Sequence, residues 1–141
     1  MTSPAQNNSC LDGTKTGMAW SVLSEISQRL SKLCESGEQS VISLRNLPMT
    51  NADREQLEEL LGRGEVRADL EVSGHSEVWE TGYPGVWWVQ HQDPDGTLSC
   101  EEISITPIPE ILLTHPVYMQ TSASRLEREL LAMHQPDNPT N

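Results

Sequence analysis

An α+β fold is expected for this chain, an antiparallel sheet of about four strands with helices packed on it. The strand-like segments sit together in the middle of the sequence with helical periodicities on either side, and do not alternate with them as in a parallel α/β protein. One of them, Glu65 to Val72, alternates polar and apolar residues without a break, as a strand does when one face is packed and the other wet.

The elements follow in chain order. Residues 1–17 mix Ser, Asn, Thr, Gln and Gly with almost no apolar content, so nothing offsets the entropy of ordering them, and a disordered leader is expected. From Met18 or Trp20 to Cys34 the residues Val22, Leu23, Ile26, Leu30 and Leu33 recur at helical steps, and Gly37 ends the helix. Ser40 to Leu44 is short and β-branched, a candidate strand. Thr50 and Asp53 read as an N-cap with an acidic first turn, Leu57, Leu60 and Leu61 form one face, and Gly62 is the stop. After the alternating strand and a Ser73-Gly74 turn come strands over Ser76 to Thr81 and Val86 to His91, joined by Gly82-Tyr83-Pro84-Gly85 with Pro and Gly in type II positions. Asp93 to Gly96 is a hairpin tip leading into Thr97 to Thr106. The apolar set there shifts parity between Leu98/Cys100 and Ile103/Ile105, so a bulge is expected near Glu101-Glu102. Pro107 and Pro109 close the sheet, Ile108 to Leu113 reads as a helical turn, and Ser124 with Glu127 reads as a capping box opening a last helix. A single domain is thus expected over 18–134, followed by a flexible tail over 135–141.

With 21 acidic against 9 basic residues and a net charge of -12, the chain lacks the positive patch that draws nucleic acid or anionic membrane. The excess instead favours a partner with a basic surface. No apolar run reaches the ~20 residues of a membrane helix, the start does not read as a signal peptide, and a cytoplasmic location is expected. Three cysteines, Cys10, Cys34 and Cys100, fit reduced thiols better than a disulfide framework.

Val86-Trp87-Trp88-Val89 places large apolar surface on both faces of the sheet. Either helices cover both faces, or they cover one and Trp87 or Trp88 lies on an apolar patch kept for another protein. With Trp79 and Tyr83 beside them, these are the residue types that dominate interfaces. Cys100, placed opposite Trp88 by a symmetric hairpin, reads as a small buried residue rather than a reactive thiol. No CxxC, CxH or HxxxH pair exists, the histidines His75, His91, His115 and His134 are spread over separate elements, and a site assembled from Cys34, Cys100 and His91 is disfavoured by the spacings. No metal or cofactor is expected. Glu101 and Glu102 point to opposite faces of a strand and read as solvated or bulge residues. The Asp93 to Gly96 stretch lacks the later ligands of a calcium loop, and Gly62-Arg63-Gly64 precedes a strand where a phosphate loop precedes a helix. No nucleophile with an identifiable base appears, so enzymatic activity is not expected.

Four stretches stand out, Leu47-Pro48-Met49-Thr50-Asn51-Ala52-Asp53, Leu60-Leu61-Gly62-Arg63-Gly64-Glu65-Val66, Glu80-Thr81-Gly82-Tyr83-Pro84-Gly85-Val86-Trp87-Trp88-Val89 and Ile108-Pro109-Glu110-Ile111-Leu112, of which the second and third are specific in combination. They resemble the conserved region of the HupH/HyaF hydrogenase expression proteins. The resemblance implies an accessory, chaperone-like factor for maturation of a nickel–iron (NiFe) uptake hydrogenase, acting on its iron–sulfur small subunit before export, with other hydrogenase accessory proteins as further partners. It brings no catalytic residues, and longer members carry an additional N-terminal portion, which leaves a lone chain, a homodimer and a complex with a full-length relative all open. On this footing Trp79, Thr81, Tyr83, Pro84, Gly85, Trp87 and Trp88 form or support a docking face. The rival roles are a metal or cluster carrier for the same enzyme and a general protein-interaction adaptor.

Overall fold

The computed structural model describes residues 13–71 and 73–134, so the leader before residue 13, Val72 and the tail over 135–141 lie outside the described residues. The chain divides into two compact units, Met1–Pro109 and Glu110–Asn141.

The first unit holds helices α1 (Met18–Ser36) and α2 (Asn51–Leu61) and strands β1 (Ser40–Ser43), β2 (Arg67–Leu70), β3 (His75–Glu80), β4 (Val86–Gln92) and β5 (Leu98–Ile105). The sheet is antiparallel throughout, in the order β1-β5-β4-β3-β2. It has five strands because the short Ser40–Ser43 segment pairs with the far end of β5, Ser40 against Ile105. A 3-10 turn, Leu44–Asn46, links β1 toward α2.

Both helices lie on one face of the sheet. Ala19, Val22 and Ile26 of α1 and Leu57 and Leu61 of α2 form one buried cluster with Trp79, Val86, Trp88, Ile103 and Ile105. The other face is buried as well, at Val78, Trp87 and Val89, and the Trp87 indole N–H donates to the Thr106 carbonyl at 3.1 Å. The Val-Trp-Trp-Val run therefore has apolar surface packed on both sides, and neither tryptophan lies on an exposed patch.

The bulge is not at Glu101-Glu102. The β4–β5 register shifts between His91 and Gln92, with His91 opposite Cys100 and Gln92 opposite Leu98, so Ser99 is the extra residue. Beyond it Glu101, Ile103 and Ile105 all face the helices, and Trp88 stands opposite Ile103, not Cys100.

α2 begins in the capping box that Thr50 and Asp53 signal: the Asp53 N–H donates to Thr50 Oγ1, and the Thr50 N–H donates to Asp53 Oδ2. The fully buried Asp53 carboxylate also accepts from the Thr16 N–H at 2.7 Å and the Thr16 hydroxyl at 2.5 Å, and Thr50 Oγ1 donates to the Thr14 carbonyl. The last residues of the segment expected to be loose are thus fastened to α2. Burial works to raise the Asp53 carboxyl, but the bonds from Thr16 and Thr50 outweigh it and hold it below the ordinary value. A depressed carboxyl contributes stability that is complete above its unfolded value, about 4, and is lost as pH falls through the lower folded value. Asp53→Ala is expected to lose about 2 kcal/mol at neutral pH, read by urea denaturation, and to show a shallower fall in stability below about pH 4 than the parent.

In the second unit a 3-10 turn, Glu110–Leu112, precedes helix α3 (Pro116–Met133). The helix starts eight residues before Ser124, because Pro116 occupies its first turn and the His115 ring nitrogen Nδ1 accepts from the Val117 N–H at 3.1 Å. Ser124 and Glu127 are mid-helix, so the S-x-x-E spacing there caps nothing. No residue of α3 is buried.

Candidate functional site

The β3–β4 connection is a turn held by bonds from several elements. Val86 N–H donates to the Tyr83 carbonyl at 3.0 Å, which makes Pro84 and Gly85 the two central residues, with Gly85 at φ +97° as a type II turn requires. A side chain on Gly85 would also stand 3.1 Å from Leu30 Cδ1 of α1. Thr81 is buried beneath the turn, its hydroxyl donating to the Val86 carbonyl at 2.9 Å and accepting from the Tyr83 N–H at 3.2 Å. From outside, Gly82 N–H donates to the Leu61 carbonyl at the end of α2, and Thr106 N–H donates to the Gly85 carbonyl. Three elements thus grip one turn, and it presents Tyr83, 53% exposed, and Pro84 to solvent.

Behind the turn lies an aromatic and charged clamp. Trp79 and Trp88 stack in parallel, centroids 5.7 Å apart, with the Arg63 guanidinium carbon 4.0 Å from the Trp79 centroid and that of Arg54 5.8 Å from the Trp88 centroid. The Trp88 indole N–H donates to Glu101 Oε2 at 3.1 Å, and Arg54 Nε donates to Glu101 Oε1 at 2.6 Å. Glu101 is only 3% exposed, so its carboxylate joins α2, β4 and β5 inside the protein. The bond to Glu101 raises the Arg54 guanidinium further above its ordinary value, against the burial that lowers it.

Of the seven residues expected to form or support a docking face, the structure therefore seals four, Trp79, Thr81, Trp87 and Trp88, and exposes Tyr83 and Pro84 on the turn that Gly85 permits. Glu101, read from sequence as a solvated or bulge residue, is the buried acceptor that sequence reasoning missed. The signal was its spacing from Ile103 and Ile105, which shares their face once the bulge is placed before it.

Among the described residues, Asp69, His75 and Glu77 offer oxygen and nitrogen atoms within 4.8 Å of one another on the β2–β3 hairpin. A search for His and Cys spacings does not find them, because strand pairing sets Asp69 opposite Glu77. Arg67 is hydrogen-bonded to Glu77 and lies 3.5 Å from Asp69 Oδ2, and His75 Nε2 lies 3.3 Å from Asp69 Oδ1. His91 Nδ1 is 2.6 Å from Ser76 Oγ, and Cys34 is exposed. Cys100 is half-buried, and burial, reinforced by Glu102, pushes its thiol up and away from the reactive thiolate.

This sheet and turn, with the fitted sequence around them, define a hydrogenase expression protein domain: residues 17–133 match the family described as HupH hydrogenase expression protein, C-terminal conserved region, and the chain belongs to that family. The solved structure of hydrogenase expression protein HupH from Thiobacillus denitrificans ATCC 25259 superposes with a TM-score of 0.82 at 34% identity, covering 84% of this chain and 99% of that one. Hydrogenase expression/formation protein HupH of Rhodobacter capsulatus is 32% identical over 97 residues, 69% of this chain and 35% of that protein. The hydrogenase-1 operon protein HyaF of Escherichia coli K12 is 35% identical over 85 residues, 60% of this chain and 30% of HyaF. The chain thus spans about a third of the length of the curated relatives it matches. No described helix is long and apolar enough to cross a membrane.

Proposed function

We propose that this chain is a cytoplasmic accessory factor in hydrogenase formation that holds an incompletely assembled polypeptide, the iron–sulfur small subunit of a nickel–iron hydrogenase, without a reaction centre of its own. The observation that carries the reading is the turn at Tyr83-Pro84, exposed at its tip and fixed from three sides, in a chain of this family. A docking residue held rigid in the free protein loses little entropy on binding, and tyrosine supplies wide contact area with a polar end. Trp79, Trp87 and Trp88 act from behind by keeping the turn in place. The acidic excess keeps the free protein soluble and suits a basic surface on the partner.

Tyr83→Ala is expected to fold with an unchanged melting temperature and to bind purified hydrogenase small subunit at least about tenfold more weakly. Wild-type affinity in that variant would remove the turn from the docking surface. A metal-carrying role is the second reading, favoured by the Asp69, His75 and Glu77 cluster. Stoichiometric iron or nickel in protein purified without chelators would select it over the docking role.

A further inference from the structure

Half of the exposed large apolar side chains among the described residues lie on α3, and no residue of that helix is buried. Met119, Ala123, Leu126, Leu130 and Met133 follow one another at steps of four, three, four and three residues, the a/d spacing of a coiled coil held over two heptads. Turned through 100° per residue, the five fall within a stripe about 80° wide, narrower than the face a helix lays on a globular core and matched to a single helix alongside. The stripe is open: Met119 is 52% exposed, Leu126 56%, Leu130 46% and Met133 68%. Helices in proteins owe most of their stability to the packing of such a face, and no described residue covers this one.

We propose that α3 pairs with α3 of a second copy of this chain as a parallel two-stranded coiled coil. The edges of the stripe favour a copy over an unrelated helix. Ser122 and Glu129 flank it on one side, and Glu127 and His134 on the other. In parallel register every seam residue meets its own counterpart across a twofold axis, Glu129 comes beside His134 of the partner subunit, and Ser122 comes beside Glu127 of the partner subunit. No two like charges face each other at these positions, although the chain has a net charge of -12 and most pairings of its surface set acid against acid. An antiparallel pairing that keeps Met133 in the seam sets Glu127 against Glu127 of the partner subunit. Arg125 and Arg128 lie off the stripe, Arg125 Nε at 3.7 Å from Glu129 Oε1 of its own helix. The pairing goes beyond the docking role and is independent of it, since it uses neither Tyr83 nor the small subunit.

The test is sedimentation equilibrium of the full chain from about 5 to 200 µM, in which the mass is expected to rise from that of one chain toward twice that value, with a dissociation constant of tens of micromolar. The association is weak because two heptads are fewer than the three or four that sustain a coiled coil alone. Leu126→Glu, which sets two carboxylates face to face in an apolar seam, is expected to weaken it at least about tenfold. Leu131→Glu, on the same helix but off the stripe, is expected to stay within about twofold of the parent. At about 5 µM, where all three are single chains, their melting temperatures are expected to agree, since the core of the first unit contains neither leucine. With Cys10→Ser and Cys34→Ser in the background, Leu126→Cys is expected to form a disulfide-linked dimer on mild oxidation, because a parallel register sets residue 126 against itself. A single chain at 200 µM, full association in Leu126→Glu, an equal loss in Leu131→Glu, or association without the disulfide would each overturn the proposal. The docking role is decided separately by Tyr83→Ala with the small subunit, so either can fail while the other stands.

Discussion

Trp88→Ala is expected to lower stability by about 4 kcal/mol, the largest effect of any single substitution considered. The side chain is completely buried and belongs to the cluster formed by both helices and the sheet. Its loss removes the apolar contact of the ring, leaves a cavity that β4 and β5 cannot close, and ends the stacking on Trp79, itself worth about 1 kcal/mol. It also strips Glu101 Oε2 of its donor inside the protein. Against a total of roughly 5–15 kcal/mol for a natural domain, a loss of this size leaves a protein that is marginal at 37 °C. Urea denaturation followed by circular dichroism measures it. Trp88→Phe, which keeps an aromatic ring but not the indole N–H, is expected to lose about half as much. A change below about 1 kcal/mol in Trp88→Ala would mean that the stack does not hold the core.

The elements set by local chemistry were legible in the sequence. Thr50 and Asp53 cap α2, Gly37 and Gly62 end helices by accepting positions other residues resist, and the Pro84-Gly85 pair sits centrally in its turn. What could not be read was whatever depends on partners distant in sequence. Glu101 is buried because Arg54, 47 residues away, and Trp88 meet it, and no window around Glu101 contains that information. Thr16 reaches Asp53 across 37 residues, so the described end of a segment of loop-like composition is fastened to α2. The bulge was misplaced by two residues because the parity shift shows only that one residue is extra, and the β4 partner decides which. The same limit applied to the tryptophans. Four consecutive apolar residues announce that both faces carry apolar surface, but not that both are covered, nor that the exposed aromatic is Tyr83 at the turn in place of Trp87.

Glu101→Ala carries the second-largest expected loss, about 3 kcal/mol, and tests whether the buried ion pair or the aromatic stack organises the clamp. Two donors lose their acceptor at once. The Trp88 indole N–H has no route to water, whereas the Arg54 side chain is 29% exposed and recovers part of its solvation, which keeps the figure at the lower end for a broken buried pair. Glu101→Gln retains an oxygen for one donor but not both and removes the charge, so an intermediate loss of about 1.5 kcal/mol is expected. The informative measurement is the double-mutant cycle with Arg54→Met. Once Glu101 is alanine, the guanidinium near Trp88 has no buried counter-charge, so replacing it is expected to restore stability relative to Glu101→Ala alone, with a coupling of about 1–3 kcal/mol. Additive losses in the double variant would show that Arg54 and Glu101 act independently. The clamp would then rest on the packing of Trp79 against Trp88, with the charges serving only to satisfy the indole N–H.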